Sequence, residues 1–197
     1  MKPTQIDSGR LISLSPLGET DIERVRTWRN SDEVRNCMIW RGEITPKAQR
    51  DWFRMVSDNT EAAYYMIKLL DGEIPVGLVD IKKVDKNNQH GEWGIFLGET
   101  SLRGKGIAAE AACLFLHHAF SEWNIHKIKA TLIAENTSSI RFHQSIGFAK
   151  EGLLREEVYI GGYYRDVILC GLLSSEFYQK NRVKKVLQTA GRSLAKQ

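Results

Sequence analysis

The sequence predicts a mixed α/β fold built on a mostly antiparallel sheet. Strand-like runs at residues 62–70, 74–84 and 90–97 follow one another across short polar turns, Asp71-Gly72 and residues 85–89, the pattern of an antiparallel meander. A glycine-rich segment at 102–106 then joins the third run to a long helical pattern at 107–123, and a further strand pattern at 125–134 completes a parallel crossover. Two last runs, up to Tyr159 and from Tyr164 to Leu173, flank Gly161-Gly162 and read as a closing hairpin. A fully parallel, doubly wound sheet does not fit this order.

The elements follow in turn. Residues 10–14 alternate weakly and read as a first strand closed by Pro16; Thr20 or Asp21 can cap a helix through Val25 and Trp28. A second short helix is expected from Asp32 to about Met38. A third opens at Thr45-Pro46, with Thr45 as N-cap and Pro46 in the first turn, and carries Trp52, Phe53 and Val56 on its apolar face. Residues 136–146 form the helix after the crossover, and Gly147-Phe148 leads into the hairpin. With residues 1–179 read as one domain and 180–197 as a basic tail or helix, seven strands are expected.

Bulk properties exclude several classes. The 197 residues are 42% hydrophobic and 26% charged, ordinary for one globular domain. No apolar run nears the roughly 20 residues of a membrane span, and residues 1–20 lack the apolar stretch of a secretory signal, so a cytoplasmic protein without a membrane partner is expected. Cys37, Cys113 and Cys170 form no metal or redox motif, and no metal is expected. Residues 180–197 hold six cations and no acid, so against a whole-chain charge of +4 the first 179 residues carry about −2. The body is therefore no basic nucleic-acid surface; the tail is either a contact arm for acidic partners or a solvated terminus.

The segment 102–110 carries the chemistry. A glycine turn between strand and helix aims several backbone N–H groups at one point, with the helix dipole behind them, which suits a diphosphate. It lacks the Gly-Lys-Ser/Thr ending of a nucleotide triphosphatase loop and the third glycine of a Rossmann site. Arg103-x-x-Gly106-x-Ala108 instead has the form Arg/Gln-x-x-Gly-x-Gly/Ala and resembles motif A of the GNAT N-acetyltransferases. Asn136-x-x-Ser139-Ile140-x-Phe142-His143-x-x-x-Gly147-Phe148 resembles their motif B, and Arg155-Glu156 with the segment 161–166 is similar to the closing hairpin of the RimJ/RimL-type branch. The resemblance covers residues 8–178. Within the branch, residues 28–35, Ile44-Thr45, Trp52-Phe53 and 153–156 resemble the nucleotide-sugar N-acetyltransferases of pseudaminic acid biosynthesis.

The resemblance implies a seven-stranded sheet whose fourth and fifth strands splay to admit CoA, acetyl-CoA as donor, and direct transfer to an amine. It places the CoA diphosphate on the amides of Arg103, Gly104, Lys105, Gly106, Ile107 and Ala108, and the pantetheine arm along Ile95, Phe96 and Leu97, with Asn136, Ser139 and Phe142 beside it. Glu92 matches the family's acidic base position; a solvated strand-end carboxylate is the competing reading, and Asp80 is a weaker candidate. His143 stands where many relatives carry a tyrosine that protonates the thiolate, and is read either as that acid or as a packing residue. Arg29, Met38, Trp40 and Tyr163 are the acceptor-binding candidates, an arginine beside aromatics suiting a nucleotide. Trp28 and Trp52 read as core. The expected acceptor is a UDP-linked 4-amino-4,6-dideoxy sugar; a protein N-terminus, a polyamine or an antibiotic amine are alternatives, as is a non-catalytic acyl-CoA-binding module. A homodimer is an expectation from the family alone.

Overall fold

A computed structural model describes residues 3–6 and 8–191. One sheet runs in the order β1-β2-β3-β4-β5-β7-β6, from β1 (Ile12–Pro16), β2 (Ala63–Leu69), β3 (Pro75–Asp85), β4 (His90–Leu97), β5 (Lys127–Ile133), β6 (Ala149–Ile160) and β7 (Tyr163–Leu173). Every neighbouring pair is antiparallel except β4 and β5. The expected fold class therefore holds. β1 starts and ends two residues later than expected and includes Pro16, which an edge strand tolerates because proline lacks only the donor.

Helices cover the two faces unequally. On one face lie α1 (Ile22–Asn30), α2 (Asp32–Arg35) and α3 (Pro46–Ser57). Val25 and Trp28 of α1 pack there on Met66 and Leu78. Gly98 makes the fit: a Cβ on it would stand 2.0 Å from the Trp28 ring. Trp28 is therefore core, as its spacing suggested. The Thr45 hydroxyl accepts from the Ala48 amide at 3.1 Å, so α3 starts at the predicted cap. α2 stops at Arg35, short of Met38.

The other face carries α4 (Ile107–Ser121), apolar nearly all round and packed between the sheet and α5 (Thr137–Ile146). After β7 come α6 (Ser174–Gln179) and α7 (Asn181–Thr189). Val183 and Leu187 of α7 are fully buried in the same core. Residues 181–189 are thus part of the domain's packing rather than a solvated arm, while Arg192 and Lys196 lie outside the described residues.

Glu110 ties these parts together. It sits in the first turn of α4, only 8% exposed. Its carboxylate accepts from the Leu11 amide at 2.7 Å and the Ile12 amide at 3.3 Å. The glycine-loop helix is thereby fastened to the sheet's edge strand.

Candidate active site

β4 and β5 pair only over His90–Glu92 and Lys127–Lys129. Beyond that point they part, although β4 continues to Leu97 and β5 to Ile133. β3 satisfies the far edge of β4 and β7 the far edge of β5, so the two facing edges are left without a strand partner. Such edges call for another hydrogen-bonding chain. At the fork, Trp93 stacks on Phe148 with centroids 5.4 Å apart and meets the edge of His143 at 5.4 Å.

A cavity of about 550 Å³ fills this split and continues over the α1–α3 face of the sheet. Trp93, Ile95, Phe96, Asn136, Ser139 and His143 line its split end; Arg29, Met38, Trp40, Gln49, Trp52, Tyr64, Asp80, Lys82 and Glu92 line the other. Ile95 and Phe96 thus stand where the pantetheine arm was expected, while Leu97 is buried opposite Gly77. Trp52, expected in the core, forms cavity wall against Tyr64. Tyr163 does not line the cavity: it lies at the hairpin tip, 68% exposed, with the Arg165 guanidinium 5.4 Å over its ring. The hairpin carries it away from this cavity.

The glycine loop has the backbone the sequence implied. Gly104 and Gly106 take φ of +80° and +85°, a region L side chains enter at a cost of about 1–2 kcal/mol. No protein atom lies within 4 Å of a Cβ placed on Gly104, so the space in front of the loop is open. The amides of Gly104, Gly106, Ile107 and Ala108 have no acceptor among the described residues, and Gly106 caps α4 without a side chain. These free donors at a fifteen-residue helix fit a diphosphate. Lys105 is exposed beside them; Arg103 reaches over to the Glu33 carbonyl at 3.1 Å, bracing the loop against α2.

Asn136 caps α5, accepting from the Ser139 amide at 3.1 Å. Phe142 packs edge-on to His143, partly buried against the core. His143 is 6% exposed, and burial pulls its pKa down. Its Nδ1 lies 2.7 Å from the Ser139 carbonyl oxygen. That oxygen only accepts, so Nδ1 carries the proton and neutral His143 presents an unprotonated Nε2. This arrangement works against the acid role: at neutral pH the ring has no second proton to give.

The two carboxylates differ. Glu92 is held by Lys83 at 2.8 Å and Lys82 at 3.7 Å. Asp80 pairs across the sheet with Gly94 and with Tyr64. A Cβ on Gly94 would stand 2.9 Å from Asp80 Oδ1, so this glycine uncovers the carboxylate to the cavity. Asp80 has one ion pair among the described residues, Lys82 at 3.5 Å, and its Oδ2 is buried without a hydrogen bond. Burial raises its pKa above the ordinary 3.8, against the pull of Lys82 and Arg29. Burial likewise pushes the Tyr64 phenol to about 12, so it stays neutral. Period-two alternation puts Tyr64, Asp80 and Gly94 on one face, which was the available signal for Asp80.

A model of the acetyltransferase (GNAT) domain matches residues 10–149. An uncharacterized N-acetyltransferase of Bacillus licheniformis is 32% identical over 131 residues, 65% of this chain and 73% of its own. The spermidine N(1)-acetyltransferase of Escherichia coli K12 is 25% identical over 190 residues, 96% of this chain and 97% of its own. The crystal structure of Vibrio cholerae spermidine N-acetyltransferase in complex with CoA and spermine superposes with a TM-score of 0.78 at 22% identity, covering 84% of this chain and 97% of that one; at that identity the likeness bears on the fold.

Proposed function

Because the chain belongs to the GNAT acetyltransferase family and is an acetyl-CoA-dependent N-acetyltransferase, we propose that it acetylates the primary amine of a small molecule held over Asp80. The observation that carries this reading is the single cavity that joins the unpaired edges of β4 and β5 to a buried carboxylate. Acetyl-CoA supplies the thioester carbonyl. The free amides of Gly104, Gly106, Ile107 and Ala108 hold its diphosphate, while those of Arg103 and Lys105 are taken by the Thr100 and Leu102 carbonyls; the open edge at 93–97 holds its arm and donates to the oxygen as charge develops there.

Asp80 does the proton work. An ammonium cannot attack, so the carboxylate takes one proton from it before the nitrogen–carbon bond forms; the tetrahedral intermediate then breaks its carbon–sulfur bond, the nitrogen gives its second proton to water, and the thiolate takes a proton from water. Asp80, less committed to cations than Glu92 and shifted toward neutrality by burial, is the better base of the two. Asp80→Asn should lower kcat by about 10²–10⁴-fold and remove the acid limb of the pH profile, with Glu92→Gln milder. Equal effects of the two substitutions would return the role to Glu92.

For the acceptor, the nucleotide-linked amino sugar remains our reading. It is supported by Trp40, 57% exposed at the cavity wall, and by Arg29 further in. Arg41, bonded to the carbonyls of Met38 and Asn36 at 3.0 and 2.6 Å, holds the turn that presents Trp40. A polyamine is the second reading, favoured by similarity to the E. coli spermidine enzyme along 96% of the chain. Charge argues against it: Arg29 and Lys82 offset Asp80 and Glu92 in the cavity, whereas a polycation calls for a net negative site. Purified protein should be given acetyl-CoA with a UDP-linked 4-amino sugar, spermidine, or a peptide with a free N-terminus, and products read by mass spectrometry. Turnover of the sugar alone supports the first reading and turnover of spermidine alone the second; CoA binding with no turnover of any amine would sink both.

A further inference from the structure

The acceptor end of the cavity contains buried polar atoms that the protein leaves unpaired. Arg29 Nε and Gln49 Nε2 are donors without acceptors, and Asp80 Oδ2 is buried without a hydrogen bond, with only the Lys82 ammonium 3.5 Å away. Gln49 is only 4% exposed although it belongs to a surface helix. Arg29 forms no ion pair among the described residues, and burial pulls its pKa down. A fourth such atom, Trp93 Nε1, belongs to the opposite side-chain row of β4 and faces the split with His143.

Each buried, unpaired polar group costs roughly 1–3 kcal/mol. An apolar side chain of the same size at position 49 would fold better, so the folded protein alone gives no reason for glutamine there. Arg29 is equally idle: it feels the charge of Asp80 yet lies beyond ion-pair distance of it. The two idle donors and the buried carboxylate describe the molecule that would satisfy them. It has an N–H group for the carboxylate and oxygen atoms for the guanidinium and the amide.

We propose that the acceptor is an amine that also carries an anionic oxygen group, phosphate or carboxylate, and that Arg29 and Gln49 form the subsite that holds those oxygens while Asp80 faces the amine. The inference rests on the acetyl-transfer reading above, but not on any particular sugar. Arg29 is the stronger element, because a guanidinium binds oxyanions through two parallel hydrogen bonds. Gln49 adds one neutral donor from α3, across the chamber from α1. Lys82 is shared between Asp80 at 3.5 Å and Glu92 at 3.7 Å, and Tyr64 stays neutral, so Arg29 is the cavity cation left to meet an anion.

Matched pairs of amines test this: galactosamine 1-phosphate against galactosamine, and 4-aminobutyrate against butylamine, with spermidine as the polycation. The wild-type protein should favour the anionic member of at least one pair by tenfold or more in kcat/KM, mainly through KM, and the favoured pair identifies phosphate or carboxylate as the group. Arg29→Met and Gln49→Leu should each shrink that ratio by about tenfold, the worth of one charge-assisted or well-buried hydrogen bond. Their melting temperatures should stay level or rise, which a structural role would not allow. Arg29→Lys and Gln49→Met serve if the first pair fails to fold, and should lie between. No preference in the wild-type protein, a preference that survives both substitutions, or a melting temperature that falls with each would overturn the proposal while leaving acetyl transfer intact. If none of these amines is acetylated, the function proposed above fails and this subsite with it.

Discussion

Replacing Glu110 tests the join between the glycine-loop helix and the sheet. Its Oε1 accepts from Leu11 N at 2.7 Å and Ile12 N at 3.3 Å. Glu110→Ala strips both donors of their partner in a site where the carboxylate is 8% exposed. With about 1–3 kcal/mol for each unsatisfied buried donor, and the second bond long, the loss should be about 2–4 kcal/mol. The lost anion in the first turn of α4 adds a few tenths more. Glu110→Gln keeps a carbonyl oxygen in place and exchanges a charge-assisted bond for a neutral one, so about 1 kcal/mol should go. Gly9 offers a second route to the same damage, since a Cβ there would lie 2.1 Å from Oε1. Gly9→Ala should therefore destabilise strongly alone but add little to Glu110→Ala, because the carboxylate it would displace is already gone. Guanidinium unfolding followed by circular dichroism measures all four proteins. Equal stabilities for Glu110→Ala and Glu110→Gln, or simple additivity with Gly9→Ala, would refute the argument.

Three further outcomes follow from the same geometry. Gly104→Ala and Gly106→Ala should each cost about 1–2 kcal/mol in stability, from positive φ and not from crowding; each should also raise the KM for acetyl-CoA, and unchanged CoA binding in calorimetry would show that the loop amides do not hold the diphosphate. Leu187→Ala should cost about 2–5 kcal/mol as a large-to-small change at a fully buried site, and removal of residues 181–197 should leave protein that melts far lower or does not fold; a truncated chain with wild-type melting would return this segment to the status of an arm. Burial lowers the pKa of His143, so the unfolded chain binds a proton that the folded chain resists, and stability should fall as pH drops below the ordinary histidine value of 6.5. His143→Gln should flatten that part of the stability profile, and identical profiles by urea unfolding would contradict the assignment.

Legibility in the sequence followed how local each signal was. β4 begins and ends at His90 and Leu97, where the apolar run does, and Thr45-Pro46 marked the start of α3 because a cap and a first-turn proline act within four residues. Glycine at 104 and 106 permits the positive φ found there. What failed was long-range. Val183, Val186 and Leu187 share one helical face, yet six basic residues nearby made 180–197 read as a basic tail or helix outside the domain; burial of the face depends on α4, which is some 70 positions away. Glu110 and Gln49 gave no sequence signal at all, since a polar residue on a helix looks solvated until a neighbouring element covers it. Tyr163 misled in the opposite direction. Strand alternation places it beside Arg165, two positions on in β7, but the direction in which the hairpin carries it is a property of the whole sheet.

This difference in legibility matches a division of labour between the proposed donor and acceptor sites. The proposed donor site is backbone: free amides at Gly104, Gly106, Ile107 and Ala108 and the unpaired edge of β4. Backbone recognition tolerates wide changes of side chain, so 22% identity suffices to keep the fold that creates it. The proposed acceptor site is built from side chains on α1, α3 and β3, where one substitution changes the charge that a ligand meets. Similarity to spermidine N-acetyltransferases therefore weighs heavily for the donor and lightly for the acceptor. A cavity that balances Arg29 and Lys82 against Asp80 and Glu92, and keeps two buried donors idle, is physically suited to an amine with oxygens to offer rather than to a chain of ammonium groups.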